Sequence, residues 1–378
     1  MSRLPVMLLL LHLYVGARLL PDLPFGSAGV ALGATVLLLS AGLIPFGFRR
    51  RRARPAGHAK ALMWAGLVAL GAFSTLLVLT FARDLVLLVA LVADALLPGE
   101  VPLRALARWS ALAVPVATAL LTILGFHNAR RVARVRTVDV PIPALPAALH
   151  GFTIAQITDV HVGPTIGGDH VAAVVDAVNR LDADLVAITG DLVDGSVAQL
   201  ALHTAPLARL RARHGAYFVT GNHEYYSGAH AWIGELRRLG VRVLLNEHVV
   251  LAHDGARLVV AGVTDPSAHR FDPAHRSDPA AAIANAPDDA GVRVLLAHQP
   301  RSAFAAALAG FDLQLSGHTH GGQFLPWTLL VRFQQPFTAG LARLGRLWVY
   351  TSRGTGYWGP PKRLGAPSEI TRVRLVPE

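Results

Sequence analysis

Four long apolar runs fill most of the first 130 residues, and no small soluble fold can bury that many in succession. Residues 4–20, 27–48, 61–81 and 110–126 each approach the roughly 20 residues a helix needs to cross a hydrocarbon core. A cleaved signal peptide accounts for the first run but not for all four. Residues 85–97 are also apolar, though short for a span. They either prolong the third helix, lie at the interface, or pair with 61–81 as a tight hairpin. At 378 residues, 53% hydrophobic and 16% charged, the chain is long enough for two domains and too apolar to be soluble throughout. The expected organisation is transmembrane helices over 1–130, a linker over 131–148 and a second domain over 149–378.

Charge is divided unevenly. Residues 1–148 carry 15 Lys/Arg against 5 Asp/Glu, and the remainder carries 20 against 19. The net +11 therefore belongs to the apolar half, and the near-neutral second half lacks the basic stripe of a nucleic-acid binder, so no nucleic-acid partner is expected. With four spans, Arg3, the cluster Arg49, Arg50, Arg51, Arg52, Arg54 and Lys60, and the group Arg130, Arg131, Arg134 and Arg136 share one side. Arg18, Arg83, Arg104 and Arg108 take the other. The Lys/Arg excess predicts a multi-pass membrane protein whose second domain faces the cytoplasm; a fifth span at 85–97 would reverse that side. The absence of cysteine excludes disulfides, Cys-zinc sites and thiol catalysis.

Prolines at 141, 143 and 146 punctuate the expected linker. Beyond it, short apolar strands alternate with helical stretches: 154–158 then 169–181, 185–189 then 197–213, 217–220 then 229–239. Further strands are predicted at 258–263, 292–297, 313–316 and 347–351. This alternation indicates an α/β layered domain. Asp169 is read as an N-cap, because it follows two glycines at the start of a helical run.

Polar residues follow the strand ends. Asp159 and His161 come after the first, Gly190-Asp191 after the second, and Gly221-Asn222-His223-Glu224 after the third. His298 and then Gly317-His318-Thr319-His320-Gly321-Gly322 follow later ones. In open α/β sheets ligands bind at the carboxyl ends of strands. Carboxylate, imidazole and amide oxygen suit divalent ions such as Mn, Fe or Zn. Residues at i and i+2 on an extended loop point the same way, as Asp159/His161 and His318/His320 do. There are donors enough for two ions, and Asp191 is the best bridging carboxylate. No P-loop or dinucleotide fingerprint is present.

The ordered set Asp-x-His, Gly-Asp, Gly-Asn-His-Glu, a lone His and Gly-His-x-His resembles the calcineurin-like metallophosphoesterase superfamily, over roughly 149–375. The wording around Tyr225-Tyr226, Gly322-Gln323, Ser352-Arg353-Gly354 and Pro367-Ser368-Glu369-Ile370 is similar to a bacterial subgroup that includes membrane-associated phosphoesterases and transmembrane proteins with a metallophosphoesterase domain. The resemblance implies a four-layer α/β/β/α sandwich. It also implies one metal site of Asp159, His161, Asp191 and His320, and a second of Asp191, Asn222, His298 and His318. A water bridging the two ions would be the nucleophile, and His223 would stabilise the phosphoryl oxygens or protonate the leaving oxygen.

The expected function is thus metal-dependent hydrolysis of a phosphomonoester or phosphodiester, and placement at a bilayer suggests a lipid-linked substrate. The rival reading is a non-catalytic membrane transporter or scaffold whose second domain only binds a ligand. Arg353 is a further phosphate contact in this reading, Glu224 a loop support, and Asp194 a solvated or capping residue. His269 and His275 lie in a polar loop that could border the site. Tyr225, Tyr226, Trp327 and Trp358 are read as packing ahead of lining a substrate groove or meeting lipid headgroups. The sequence leaves the oligomeric state, the native metal and the substrate open.

Overall fold

The computed structural model describes residues 3–48 and 57–378, which fall into two units. The arginines at 49–52 and 54, on which much of the charge count rests, lie outside the described residues.

The first unit is helical. Its helices are α1 (Arg3–Leu19), α2 (Gly26–Gly47), α3 (Gly57–Leu96) and α4 (Leu103–Arg130), all long and apolar enough to cross a membrane. Residues 85–97 resolve to the first of the three alternatives. α3 runs unbroken for 40 residues, about 60 Å at helical rise, or roughly twice a hydrocarbon core. Nothing between Phe81 and Leu96 breaks a helix, and Pro98-Gly99 follows its end. Arg83, expected in a loop, therefore sits inside α3 and is buried. Its guanidinium donates to Ser110 Oγ at 2.9 Å, Arg18 O at 2.7 Å and Ala107 O at 3.0 Å, and it pairs with Asp22. A charge among apolar helices persists when its fixed donors are satisfied in this way.

The short segment Gly359–Leu364 belongs to the same unit. Lys362 Nζ donates to Gly71 O at 2.9 Å and Thr122 Oγ1 at 3.2 Å, and also bonds Thr75.

The second unit comprises Arg131–Trp358 and Gly365–Glu378. Its strands are β1 (Arg134–Ile142), β2 (Thr153–Ile157), β3 (Leu185–Ile188), β4 (Ala216–Phe218), β5 (Arg242–Val243), β6 (Glu247–His253), β7 (Ala256–Gly262), β8 (Val292–Leu296), β9 (Leu313–Ser316), β10 (Gly340–Leu344), β11 (Leu347–Thr351) and β12 (Glu369–Pro377). They form two six-stranded sheets, ordered β1-β12-β2-β3-β4-β5 and β10-β11-β9-β8-β7-β6. β2 to β5 run parallel, as do β7, β8, β9 and β11.

One apolar core lies between the sheets. Ile154, Leu185 and Val373 of the first meet Leu258, Val294, Leu313 and Tyr350 of the second. The outer face of the second sheet packs against α9 (Pro279–Ile283) and α10 (Ala303–Leu308) through Ala282, Ala303 and Ala306. The remaining helices are α5 (Gly168–Asn179), α6 (Val197–Thr204), α7 (Asn222–Ser227), α8 (Ala229–Arg238) and the short α11 (Trp327–Leu330). Helices outside two stacked sheets give the α/β/β/α order.

Three expectations need correcting. Residues 131–148 are not a plain linker, because β1 pairs in parallel with β12, from Arg134↔Glu369 to Ile142↔Pro377. Pro141 is tolerated because β1 is an edge strand, and Val140, Ile142 and Leu149 are buried in the inter-sheet core. The helix expected over 197–213 ends at Thr204, and Pro206 opens a 3-10 turn. Asp169 is not an N-cap: the cap is Gly167, and Asp169 lies in the first turn of α5, where the helix dipole favours a carboxylate.

Candidate metal centre

Strands β2 to β5, and β7, β8, β9 and β11, deliver their carboxyl ends to one edge, and loops from both sheets meet there. Asp159 and His161 follow β2, Asp191 follows β3, and Asn222 and His223 open α7 after β4. His298 follows β8, and His318 and His320 follow β9. The backbone is bent sharply to present these side chains. Asp159, His161, Asp191, His318 and His320 all have positive φ, between 50° and 69°. Each such residue costs about 1 kcal/mol without compensation. Here the loops are stitched together: Asp159 N donates to Gly190 O at 3.0 Å, and His161 N to Asp191 O at 3.1 Å. Strain concentrated on one constellation marks a functional site.

The expected ligands form two groups that could hold cations, Asp159/His161/His320 and Asp191/His298/His318, while Asp194 makes a further group with His161 and His223. In the first, His161 Nε2 is 3.1 Å from His320 Nε2, which is 3.5 Å from Asp159 Oδ1. In the second, His298 Nε2 is 3.1 Å from Asp191 Oδ2 and 3.2 Å from His318 Nδ1. Asp191 Oδ2 also lies 4.0 Å from His161 Nε2, so this carboxylate stands between the groups. His298 Nδ1 donates to Thr189 O at 2.8 Å, which turns Nε2 inward as a ligand nitrogen.

Two close approaches require glycine. A Cβ on Gly317 would lie 2.1 Å from Asp159 Oδ2, and one on Gly221 would lie 2.2 Å from Asp191 Oδ1.

The electrostatics call for positive charge. Asp159 and Asp191 are both buried. Burial pushes the Asp159 carboxyl above its usual range. Burial opposes the Asp191 charge too, but the His298 and His223 imidazoles outweigh it and hold that carboxyl well below the usual range. Burial, reinforced by His298, drives His318 down to about 3, leaving a neutral nitrogen donor. Asn222 Oδ1 is buried with no hydrogen-bond partner, a costly arrangement unless something else binds it. A buried orphan oxygen on a loop that meets Asp191, together with carboxylates and inward-facing imidazole nitrogens, fits divalent cations.

Asp194 departs from its sequence expectation. It is neither a cap nor freely solvated. Its Oδ1 lies 2.6 Å from His223 Nδ1 and 3.1 Å from His161 Nδ1, orienting both rings. The available signal was its position three residues past Asp191 on the same loop. Burial works against protonation of His223, but the charges of Asp191 and Asp194 raise it to about 9. Glu224 supports the loops as expected: it accepts from Gly221 N at 2.7 Å, Leu192 N at 2.8 Å and Asp191 N at 3.0 Å. Arg353 lies against the site loop, with Cγ near Gly321, while its Nη1 is 3.2 Å from Glu369 Oε2. Tyr226 and Trp358, read as packing, are half exposed with ring centres 5.3 and 5.6 Å from that of His223. His275 bonds Tyr225 Oη at 2.8 Å, and His269 bonds Pro266 O; neither enters the two donor groups.

A family profile for calcineurin-like phosphoesterases matches residues 152–322. An uncharacterised metallophosphoesterase of Campylobacter jejuni is 34% identical over 266 residues, covering 70% of this chain and 69% of that protein. The chain belongs to the calcineurin-like phosphoesterase family. The matched residues run through every loop of the metal centre from Asp159 to His320. The proteins named transmembrane protein with metallophosphoesterase domain are also similar. That of Bos taurus is 40% identical over 283 residues, 72% of this chain, and that of Danio rerio 37% over 268 residues, 69% of this chain. The matched regions span 63% and 61% of those two relatives' own lengths.

Proposed function

We propose that this metallophosphoesterase is anchored in the membrane by its four long helices and hydrolyses a phosphomonoester or phosphodiester carried on a lipid-linked substrate. The observation that carries the reading is the pair of His/Asp groups sharing one strand edge, with Asp191 between them and Asn222 Oδ1 unpartnered on the loop whose His223 N bonds Asp191.

In this reading Asp159, His161, Asp191 and His320 hold one divalent cation, and Asp191, Asn222, His298 and His318 a second. Bound there, the pair supplies Lewis-acid charge and lowers the pKa of an attacking water. His223, gripped by Asp194, protonates the leaving oxygen or steadies the phosphoryl oxygens. Arg353 adds a phosphate contact from the loop after β11. The rival, a non-catalytic transporter or scaffold, gives no reason to retain a complete donor set.

A lipid-linked substrate is supported by an apolar rim. Leu325, Trp327, Leu329, Leu330 and Phe333 are all at least 41% exposed, within thirteen residues of His320. Gln323 ties this segment to Trp358 by two bonds of 3.0 and 3.1 Å, and Trp358 faces His223. So many large exposed apolar side chains in the segment that follows His320 suit an amphiphile better than a soluble metabolite. A cytoplasmic catalytic domain is supported by the Lys/Arg count together with an even number of spans.

The test is hydrolysis of bis-p-nitrophenyl phosphate and p-nitrophenyl phosphate by the full chain with Mn²⁺, alongside Asp191→Asn. Cleavage that collapses in the variant is expected. No cleavage of either ester, or none lost in the variant, refutes the reading. A reporter joined after Arg136 is expected inside the cell.

A further inference from the structure

A second cluster of metal-ligating side chains stands outside this site. His230 lies in the first turn of α8, and Asp272 and His275 lie in the loop after β7. Their three ligand atoms fall within 4.8 Å of one another. His230 Nε2 is 3.0 Å from Asp272 Oδ2, and His275 Nε2 is 3.9 Å from the same oxygen. Ligands held about 2.0–2.2 Å from a tetrahedral zinc ion sit roughly 3.3 Å apart, so the spacing needs little adjustment.

We propose that His230, Asp272 and His275 form a third divalent-cation site, a structural clip for the wall of the active site, with zinc the best match to two imidazoles and a carboxylate. The donors are prepared for it. Asp272 Oδ1 is already used by Ala274 N at 2.9 Å, so Oδ2 is the oxygen presented to the imidazoles. His275 uses Nδ1 on Tyr225 Oη, which fixes its ring with Nε2 toward Asp272. Its backbone carbonyl is held by Thr264 Oγ1 at 2.8 Å. His230 is largely exposed and His275 mostly covered, so the cluster opens on one side to solvent and an ion can enter.

The contacts beyond the cluster give the clip its purpose. Tyr225 lies on α7, the helix that opens with Asn222 and His223, and its hydroxyl is also 3.3 Å from Thr220 Oγ1 at the end of β4. Phe271, next to Asp272, packs at 5.8 Å from Tyr225 and 5.6 Å from Tyr226. A cation joining α8 to this loop would hold Phe271 and Tyr225, and through them α7.

The experiment is metal counting on the full chain in detergent, stripped with chelator and reloaded with Zn²⁺ alone. Asp272→Asn and His230→Gln are each expected to bind one ion fewer than the unsubstituted chain. Asp191→Asn is expected to lose ions from the main centre and keep this one, so failure here is distinguishable from failure of the catalytic reading. Tyr225→Phe is expected to weaken this ion about 10-fold or more by freeing the His275 ring. Equal zinc content in the unsubstituted chain, Asp272→Asn and His230→Gln overturns the proposal. Because His230 and Asp272 are partly exposed, both variants are expected to keep the melting temperature of the metal-stripped chain, which separates lost binding from lost folding.

Discussion

His161 Nε2 and His320 Nε2 stand 3.1 Å apart, one nitrogen facing the other. With Asp159 Oδ1 3.5 Å from His320 Nε2, the two nitrogens are placed to share one cation. Chelation is therefore expected to abolish ester hydrolysis and to lower the melting temperature, with both restored by Mn²⁺ or Zn²⁺. Tight ligands at about 100 times their Kd stabilise a fold by about 2.7 kcal/mol, so the shift is measurable by differential scanning. Unchanged melting after complete removal of metal would falsify this.

Asp194 holds two rings at once, and its removal tests whether orientation matters beyond the donor groups. Asp194→Asn keeps the shape but removes the charge that His161 and His223 share. Partners of this kind typically contribute 10- to 100-fold to metal affinity or activity. A drop in kcat of about that size is expected, with melting nearly unchanged. Loss of folding instead would assign Asp194 a purely structural role.

Glu224→Ala leaves three buried backbone N–H groups without their acceptor. Allowing for partial relaxation, the cost is about 3 kcal/mol. For a domain of this size that corresponds to roughly 10 °C in melting temperature. Thermal melts of the two proteins compared at saturating Mn²⁺ settle the point.

Gly317→Ala would drive a methyl group to 2.1 Å from the Asp159 carboxylate. The loop must shift, carrying His318 and His320 with it. A displacement of about 1 Å at a reacting centre can cost 100-fold. Activity is expected to fall by at least that factor, together with metal content. Full occupancy and near-normal kcat would show the loop to be softer than this packing indicates.

The apolar rim makes a different prediction. Replacing Trp327 and Phe333 by Ser should lower turnover of a phospholipid presented in vesicles while sparing bis-p-nitrophenyl phosphate. Equal loss on both substrates would place these side chains in the support of the site rather than in substrate capture.

Much of this molecule is readable along the chain, because the relevant information is local. The presence of the apolar helices follows from uninterrupted apolar runs, though not their ends, and the strands that carry the site follow from short apolar runs. The donors sit one to four residues past strand ends, with i, i+2 spacing that an extended loop turns to one side. What the tertiary structure alone decided involves partners far apart in sequence. Residues 85–97 carried no local signal separating a helix extension from a hairpin; α3 instead runs straight through Arg83, whose donors are satisfied by Arg18, Ala107 and Ser110. β1 looked like a proline-spaced linker until its pairing with β12, 235 residues later, made it an edge strand. The roles of Asp194, and of His275 against Tyr225, depend on which loops the two packed sheets bring together. Short-range sterics and hydrophobic pattern write the elements into the sequence, whereas the meeting of distant polar atoms exists only once the core between the sheets has formed.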